Sequence, residues 1–297
     1  MTMKAIRGLV IALIVLYAIA AARILKAKRQ AMKEEKGHIA VYGAVSALAM
    51  FLGTFGLSDT AVSTGMYEAL HLVPDKKVPG TIITGAVIPV GVMSAAFLTM
   101  QNVDMPFLTG CVLMETAGAL LGVRVIVRLR EKTMQSLIGI ALLFTAAMIL
   151  VRFVLSGIST GTAASLSGWK MAVAFLFFFV FGALNMAGIG ATVPDMAILL
   201  LLGMQPVLVY PIVMTGNFVS CVAGAMRFLK TDMYSRKALA ASVIGAAAVI
   251  AAVWIVGSIP ADIIQIGMIF LMIICAAGMF RKAHKNETST HMKEETT

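Results

Sequence analysis

Apolar runs of about 20 residues recur along nearly the whole chain, divided by short turns that are either basic or free of basic residues. Runs of that length predict membrane-spanning helices. They fall at 8–25, 39–57, 80–100, 106–127, 133–153, 170–187, 207–226, 237–257 and 262–280. Two places break the pattern. After the second run, the polar stretch Ser58-Asp59-Thr60 leads into a helix of about 14 residues, Asp59 to Leu72. At a rise of ~1.5 Å per residue it cannot cross ~30 Å of hydrocarbon alone. After the sixth run, Gly188, Gly190 and Pro194 interrupt the span, Asp195 sits in the interruption, and a short apolar helix covers 194–204. Broken backbone at membrane depth is tolerated only where protein or a water-filled cavity surrounds it, and a charge there needs a reason.

Composition agrees with the pattern. Of the 297 residues, 60% are hydrophobic and 13% charged, about half the charge of a soluble domain, and mean hydropathy is +0.95. The expected class is an all-α integral membrane protein, a polytopic bundle of about nine spans. The first run could be a cleaved signal, since Ala18 to Ala22 offers small residues. Arg23, Lys26, Lys28 and Arg29 follow at once, a stop-transfer pattern that favours a retained anchor.

The net charge of +10 could indicate nucleic-acid binding. The basic residues sit at span ends and in no extended soluble region, so the positive-inside bias accounts for them and no nucleic-acid partner is expected. Cys111, Cys221 and Cys275 are isolated in apolar runs, with neither metal spacing nor an even disulfide framework. The 22 methionines are scattered and read as apolar filler. No metal or other cofactor is expected.

The two halves of the chain repeat one another. Leu72 to Pro79 matches Met204 to Pro211 with both prolines in register. Thr84-Gly85 matches Thr215-Gly216 after a one-residue slip, Val103-Asp104-Met105 matches Thr231-Asp232-Met233, and Ile138-Gly139 matches Ile266-Gly267. Basic segments at 23–36, 124–132 and 227–237, with the tail from Arg281, predict the cytoplasmic side; the turns at 101–106, 156–168 and 257–262 lack basic residues and predict the outside. The count of crossings works only if each short helix also traverses as part of a broken pair. The repeats are then inverted, with the N-terminus outside and the C-terminus in the cytoplasm. The organisation expected is an anchor and basic loop (1–37), repeat 1 (38–155), an external linker (156–169), repeat 2 (170–280) and a polar tail (281–297). Inverted repeats with discontinuous helices at matching positions point to a secondary transporter with a midplane site. Free N–H groups at two helix N-termini suit an anion.

The segments GTFGLSDTAVST, DKKVPGT, GIGATVPDMA, LLLLGMQP, YPIVMTGN and FLKTDMYSRKA resemble the TauE/SafE family of sulfite exporters and toluenesulfonate-uptake permeases, over residues 40–280. The resemblance implies a bacterial inner-membrane permease for sulfite, sulfonates or other organosulfur anions. Many members carry a glycine cluster followed by proline in each half; here Ser58, Asp59 and Thr60 stand in the first half and Gly190-Ala191-Thr192 in the second, so the chain looks like a divergent branch.

The candidate substrate-binding residues are Ser58, Thr60, Thr84, Gly85, Asn185, Gly188, Gly190, Thr215, Gly216 and Asn217. Their hydroxyls and amides can donate to an anion, and the glycines expose backbone. The same glycines can serve helix packing instead, because Gly216, Ser220 and Gly224 recur every fourth residue. The candidate titratable groups are Asp59, Asp195 and Glu115. Asp59 is a proton or cation carrier, a group that orients the site, or part of the cap of its short helix; Asp195 is either a transport group or a first-turn charge against the helix dipole. Glu115, with Gly118 and Gly122 on the same helix face, is expected to face protein or a cavity, as a functional acid or as a polar tie. His71 and Glu68 are weaker candidates near the proline turn.

These features favour a permease moving a small anion across the cytoplasmic membrane, coupled to the proton gradient, possible as a homo-oligomer, with a passive channel as the alternative. No G-x-x-x-x-G-K-[ST] motif exists to hydrolyse ATP. Gly56-Leu57-Ser58-Asp59 superficially matches a serine-protease motif, but no histidine lies deep in a later span to act as base, so no enzyme is expected.

Overall fold

The computed structural model describes residues 3–55, 58–98, 103–128, 133, 162–188 and 190–255. The expected span at 133–153, apart from residue 133, and the expected span at 262–280 and the tail lie outside the described residues. Within them the protein is helical, with one isolated bridge between Ala163 and Met204. The helices are α1 (Met3–Ala27), α2 (Arg29–Glu34), α3 (Ile39–Thr54), α4 (Asp59–Ala69), α5 (Val78–Phe97) and α6 (Met105–Ile126), then α7 (Trp169–Asn185), α8 (Thr192–Leu201), α9 (Pro206–Thr231) and α10 (Arg236–Ile255).

Five of these, α1, α5 with the turn before it, α6, α9 and α10, are long and apolar enough to cross a membrane. Trp254, Leu113, Leu16 and Val243 are largely exposed on their outer faces. Apolar surface of that kind is consistent with a multi-pass membrane protein. Pro79, Pro106 and Pro206 stand at the first or second position of α5, α6 and α9, where a missing N–H costs nothing.

The two breaks predicted from sequence are present, with shifted edges. Helix α3 stops at Thr54 rather than at 57, and α4 ends at Ala69 rather than at 72. Helix α8 runs Thr192–Leu201 rather than 194–204, so Pro194 lies inside its first turn rather than at its first position. Proline is tolerated there because the first N–H groups of a helix have no intrahelical partner.

Each broken pair is a hairpin. The chain leaves α4 and returns to the start of α3: Tyr42 Oη donates to the Leu72 carbonyl at 2.9 Å, and a Cβ at Gly37 would stand 2.6 Å from the Leu72 side chain. The chain leaves α8 and returns to the start of α7: Lys170 Nζ donates to the Leu202 carbonyl at 2.9 Å, and Ala163 exchanges backbone hydrogen bonds with Gly203 and Gln205.

The feet of the two hairpins lie at opposite ends of the bundle. Helices α5 and α9 cross antiparallel through the core, since Gly80 meets Phe228, Gly91 meets Phe218, and Ser94 bonds Thr215. The start of α5 lies with the α9–α10 turn, where the Ser235 N–H donates to Thr81 Oγ1 at 2.9 Å. Helices α6 and α7 run parallel at backbone contact: Gly110 faces Phe175, Gly118 faces the Phe179 carbonyl, and Gly122 faces the Ala183 carbonyl. The remaining large packing surfaces join α3 to α10, α6 to α9 and α5 to α10.

Candidate functional site

The two hairpin tips touch. Gly190 adopts φ +76°, and a Cβ there would stand 3.0 Å from Thr60 Oγ1 and 3.2 Å from Ser58 Oγ. Left-handed backbone is inexpensive only for glycine, and here the missing side chain also lets the tips approach. Gly188, at φ +85°, turns the chain out of α7. Ser58 is the N-cap of α4, accepting the Ala61 N–H at 3.2 Å. Asp59 occupies the first turn, buried, with its Cβ against Gly53. Helix α8 has no side-chain cap at its own N-terminus. The N-termini of two short helices therefore meet in the interior, each carrying an aspartate in its first turn.

A chain of polar side chains fixes the second tip to α9. Asn185 Nδ2 donates to Asn217 Oδ1 at 2.8 Å, and Asn217 Nδ2 donates to Thr192 Oγ1 at 2.8 Å. Cys221 Sγ donates to Asn217 Oδ1 at 3.3 Å. All four residues are buried. Both amides are thereby oriented, which matters because a buried amide without partners costs about 1–3 kcal/mol.

Beside this chain lie two acids. Glu115 and Asp195 are each 0% exposed. Glu115 Oε1 accepts from Ser220 Oγ at 2.9 Å, while Oε2 has no hydrogen-bond partner among the described residues. Neither Asp195 oxygen has one. The two carboxyls lie within electrostatic reach of each other. Gly216 makes room for the acid: a Cβ there would stand 2.2 Å from Glu115 Oε2. Gly182 likewise lets α7 approach the Glu115 carbonyl. The glycines near Glu115 thus serve close packing that brings an acid against its neighbours.

Three buried carboxyl oxygens without partners among the described residues are costly as a charged pair. They are chemically suited to taking up protons, which remove the charge and supply O–H donors.

Most of the expected site residues join these contacts: Ser58, Thr60 and Gly190 at the tips, Asn185 and Asn217 in the amide chain, Gly216 against Glu115. Thr215 Oγ1 lies 3.0 Å from Ser94 Oγ, tying α9 to α5. Thr84 and Gly85 have other partners. The Thr84 hydroxyl donates to the Gly80 carbonyl at 2.7 Å, its carbonyl accepts from Tyr17 Oη at 2.9 Å, and Gly85 faces Ala238. His71 is exposed. Sequence reasoning missed Tyr17, Ser94, Thr192 and Cys221 as members of these contacts. Thr192, two residues before Pro194 in the broken stretch, carried a usable signal.

In comparisons with known proteins, no family model, no curated protein and no solved structure matches the chain.

Proposed function

We propose that this protein is a secondary permease that moves a small anion through the meeting point of the two hairpins, coupled to protons carried by Glu115 and Asp195. The observation that carries the reading is the contact of Gly190 with Ser58 and Thr60, with Asp195 in the first turn just beyond it. Two helix N-termini offer partial positive charge and free N–H groups to an anion. The neighbouring carboxylates oppose that anion while charged and accept it once protonated, so anion and proton favour each other's entry. Symport is the coupling expected.

The packing supports a further part of this reading, an inverted duplication of at least eight elements, α3–α6 with α7–α10. Exchange of the halves sends the α3–α10 surface onto α7–α6 and the α5–α10 surface onto α9–α6, and each of those surfaces exists. Helices α5 and α9, which the sequence repeat equates, run antiparallel, as inversion requires. The matching fifth elements of about nine spans, the cytoplasmic placement of the basic end and the external N-terminus belong to the same proposal. Sulfite and sulfonates head the substrate candidates on the resemblance of the segments quoted above.

The test is uptake by purified protein in proteoliposomes over sulfite, sulfonates, sulfate and carboxylates, with the voltage clamped and a pH gradient imposed. The expected result is accumulation of one anion above equilibrium. Glu115→Gln and Asp195→Asn should abolish gradient-driven accumulation while leaving exchange of labelled for unlabelled anion. Flux that ignores the pH gradient would instead identify a channel. Full coupling in both variants would remove the acids from the mechanism.

A further inference from the structure

At the end of the bundle where α5 starts, the segment 28–37 is strapped across the α9–α10 turn. Lys28 Nζ pairs with Asp232 Oδ1 at 2.8 Å. The Glu35 carboxylate sits on the N-terminus of α10 and is held by four donors. Oε1 accepts the Arg236 N–H at 2.9 Å and Arg236 Nη1 at 3.0 Å; Oε2 accepts Ser235 Oγ at 2.7 Å and the Lys237 N–H at 3.1 Å. Lys237 Nζ holds the Glu35 and Gly37 carbonyls. A helix of 20 residues presents its positive end here, and a carboxylate from some 200 positions earlier fills it.

That carboxylate does not exhaust the donors. Arg236 is 7% exposed, its Nη2 is committed to Asp232, and its Nε has no partner among the described residues. Tyr234 is 0% exposed, lies under the Arg236 guanidinium at 5.7 Å, and its hydroxyl has no partner among the described residues. Tyr234 and Ser235 also line a cavity of about 510 Å³ between the strap and the foot of the first hairpin, walled by Tyr42, Leu72 and Pro74. Its lining also includes Glu34, Lys36, Glu68, His71, Asp75 and Lys77. A planar carboxylate offers two oxygens; a head group with three or four has use for the buried donors that Glu35 leaves idle.

We propose that the N-terminus of α10 is a tetrahedral-oxyanion site that the chain's own Glu35 occupies, and that a phosphate- or sulfate-like head group displaces Glu35 and frees the strap. The site is distinct from the hairpin tips and does not depend on the transport reading. Glu35 acts as a tethered competitor, so the free ligand sees its full affinity only when the carboxylate is removed. The oxyanion can reach the site from solution or as the head group of an anionic phospholipid.

The full-length protein in nanodiscs of zwitterionic lipid, titrated with inorganic phosphate against chloride at matched ionic strength, tests this. Glu35→Ala should bind phosphate at least ~10-fold more tightly than wild type, because the tethered competitor is gone. Adding Arg236→Gln to Glu35→Ala should abolish the gain. In the wild-type protein, saturating phosphate should raise hydrogen exchange of amides 29–37 and leave α6 unchanged, a readout that does not require the variant to fold. Nanodiscs containing anionic phospholipid and no phosphate distinguish the sources: faster strap exchange there, without a phosphate response in zwitterionic lipid, assigns the site to a lipid head group. Unchanged strap exchange under both conditions overturns the proposal, as does a phosphate gain in Glu35→Ala that survives loss of the Arg236 guanidinium.

Discussion

Gly190 lies against Thr60, so that a Cβ at position 190 would stand 3.0 Å from the Thr60 hydroxyl oxygen. That approach joins the tip of the α7–α8 hairpin to the tip of α3–α4. It depends on a residue that has no side chain and can hold φ +76°.

Replacing Gly190 should therefore separate two effects. An L-residue in left-handed backbone costs about 1–2 kcal/mol. Gly188→Ala carries the same strain, but its Cβ would meet nothing closer than Pro79 at 3.8 Å. Both variants should lose similar thermal stability in detergent, whereas Gly190→Ala alone should also push Thr60 away and reduce transport the more severely. Equal transport loss in the two would mean the tip contact has no special role.

Gly216 and Gly182 approach Glu115 from two helices, one at the carboxyl and one at the backbone. Gly216→Ala should displace the carboxyl, with its Cβ 2.2 Å from Oε2, and weaken the Ser220 bond at modest cost to stability. Gly182→Ala places its Cβ 2.2 Å from the Glu115 carbonyl, which no side-chain rotation relieves. Overpacking of that kind costs about 1–3 kcal/mol. Unfolding midpoints should rank wild type, Gly216→Ala, Gly182→Ala; on the proposed permease function, coupling should be lost already in Gly216→Ala.

Asn185→Leu removes the donor to Asn217 and leaves the amide chain to Thr192 unanchored at one end. The expected destabilisation is about 1–3 kcal/mol, the range for a buried polar group deprived of its partner. Asn185→Asp keeps the size and loses the Nδ2 donor, so it should be at least as damaging. An unchanged midpoint in both variants would show that the α7–α9 tie is dispensable.

The Lys28–Asp232–Arg236 cluster predicts a response to acid. Burial alone would push the Asp232 carboxyl up, but the Lys28 hydrogen bond and the Arg236 and Lys28 charges outweigh it and hold the carboxyl below its ordinary range. A depressed native value means the stabilisation is complete above the unfolded value of about 4 and is lost as pH falls through the lower native one. Strap amides 29–34 should exchange faster below that range. Asp232→Asn should show faster exchange than wild type at neutral pH and a smaller acid response, with the Glu35 contacts left in place.

Much of this arrangement was legible in the chain. Both hairpin tips coincide with local breaks, the Ser58 cap and the glycine-proline run, because caps and φ preferences act over a few residues. Glu115 facing the glycine side of α6 follows from helical periodicity. Ser94 and Cys221 were not legible as partners: a lone hydroxyl or thiol in an apolar run looks the same whether it satisfies its own helix or a distant one. Thr215 does both, donating to the Pro211 carbonyl at 2.6 Å and lying 3.0 Å from Ser94. Thr84 matches Thr215 in the repeat, yet its hydroxyl is spent on its own helix.

The sequence by itself determined the apolar helices, their basic ends and the two places where the chain cannot continue as helix, because hydropathy, charge and backbone preference are local properties. Only the tertiary structure decided that each hairpin returns to its own foot, that the tips meet at Gly190 and Thr60, and that Glu35 crosses some 200 positions to the N-terminus of α10. Those choices rest on close approach between distant segments, set by missing side chains at Gly190, Gly216 and Gly182 and by donors that find acceptors after the helices have packed.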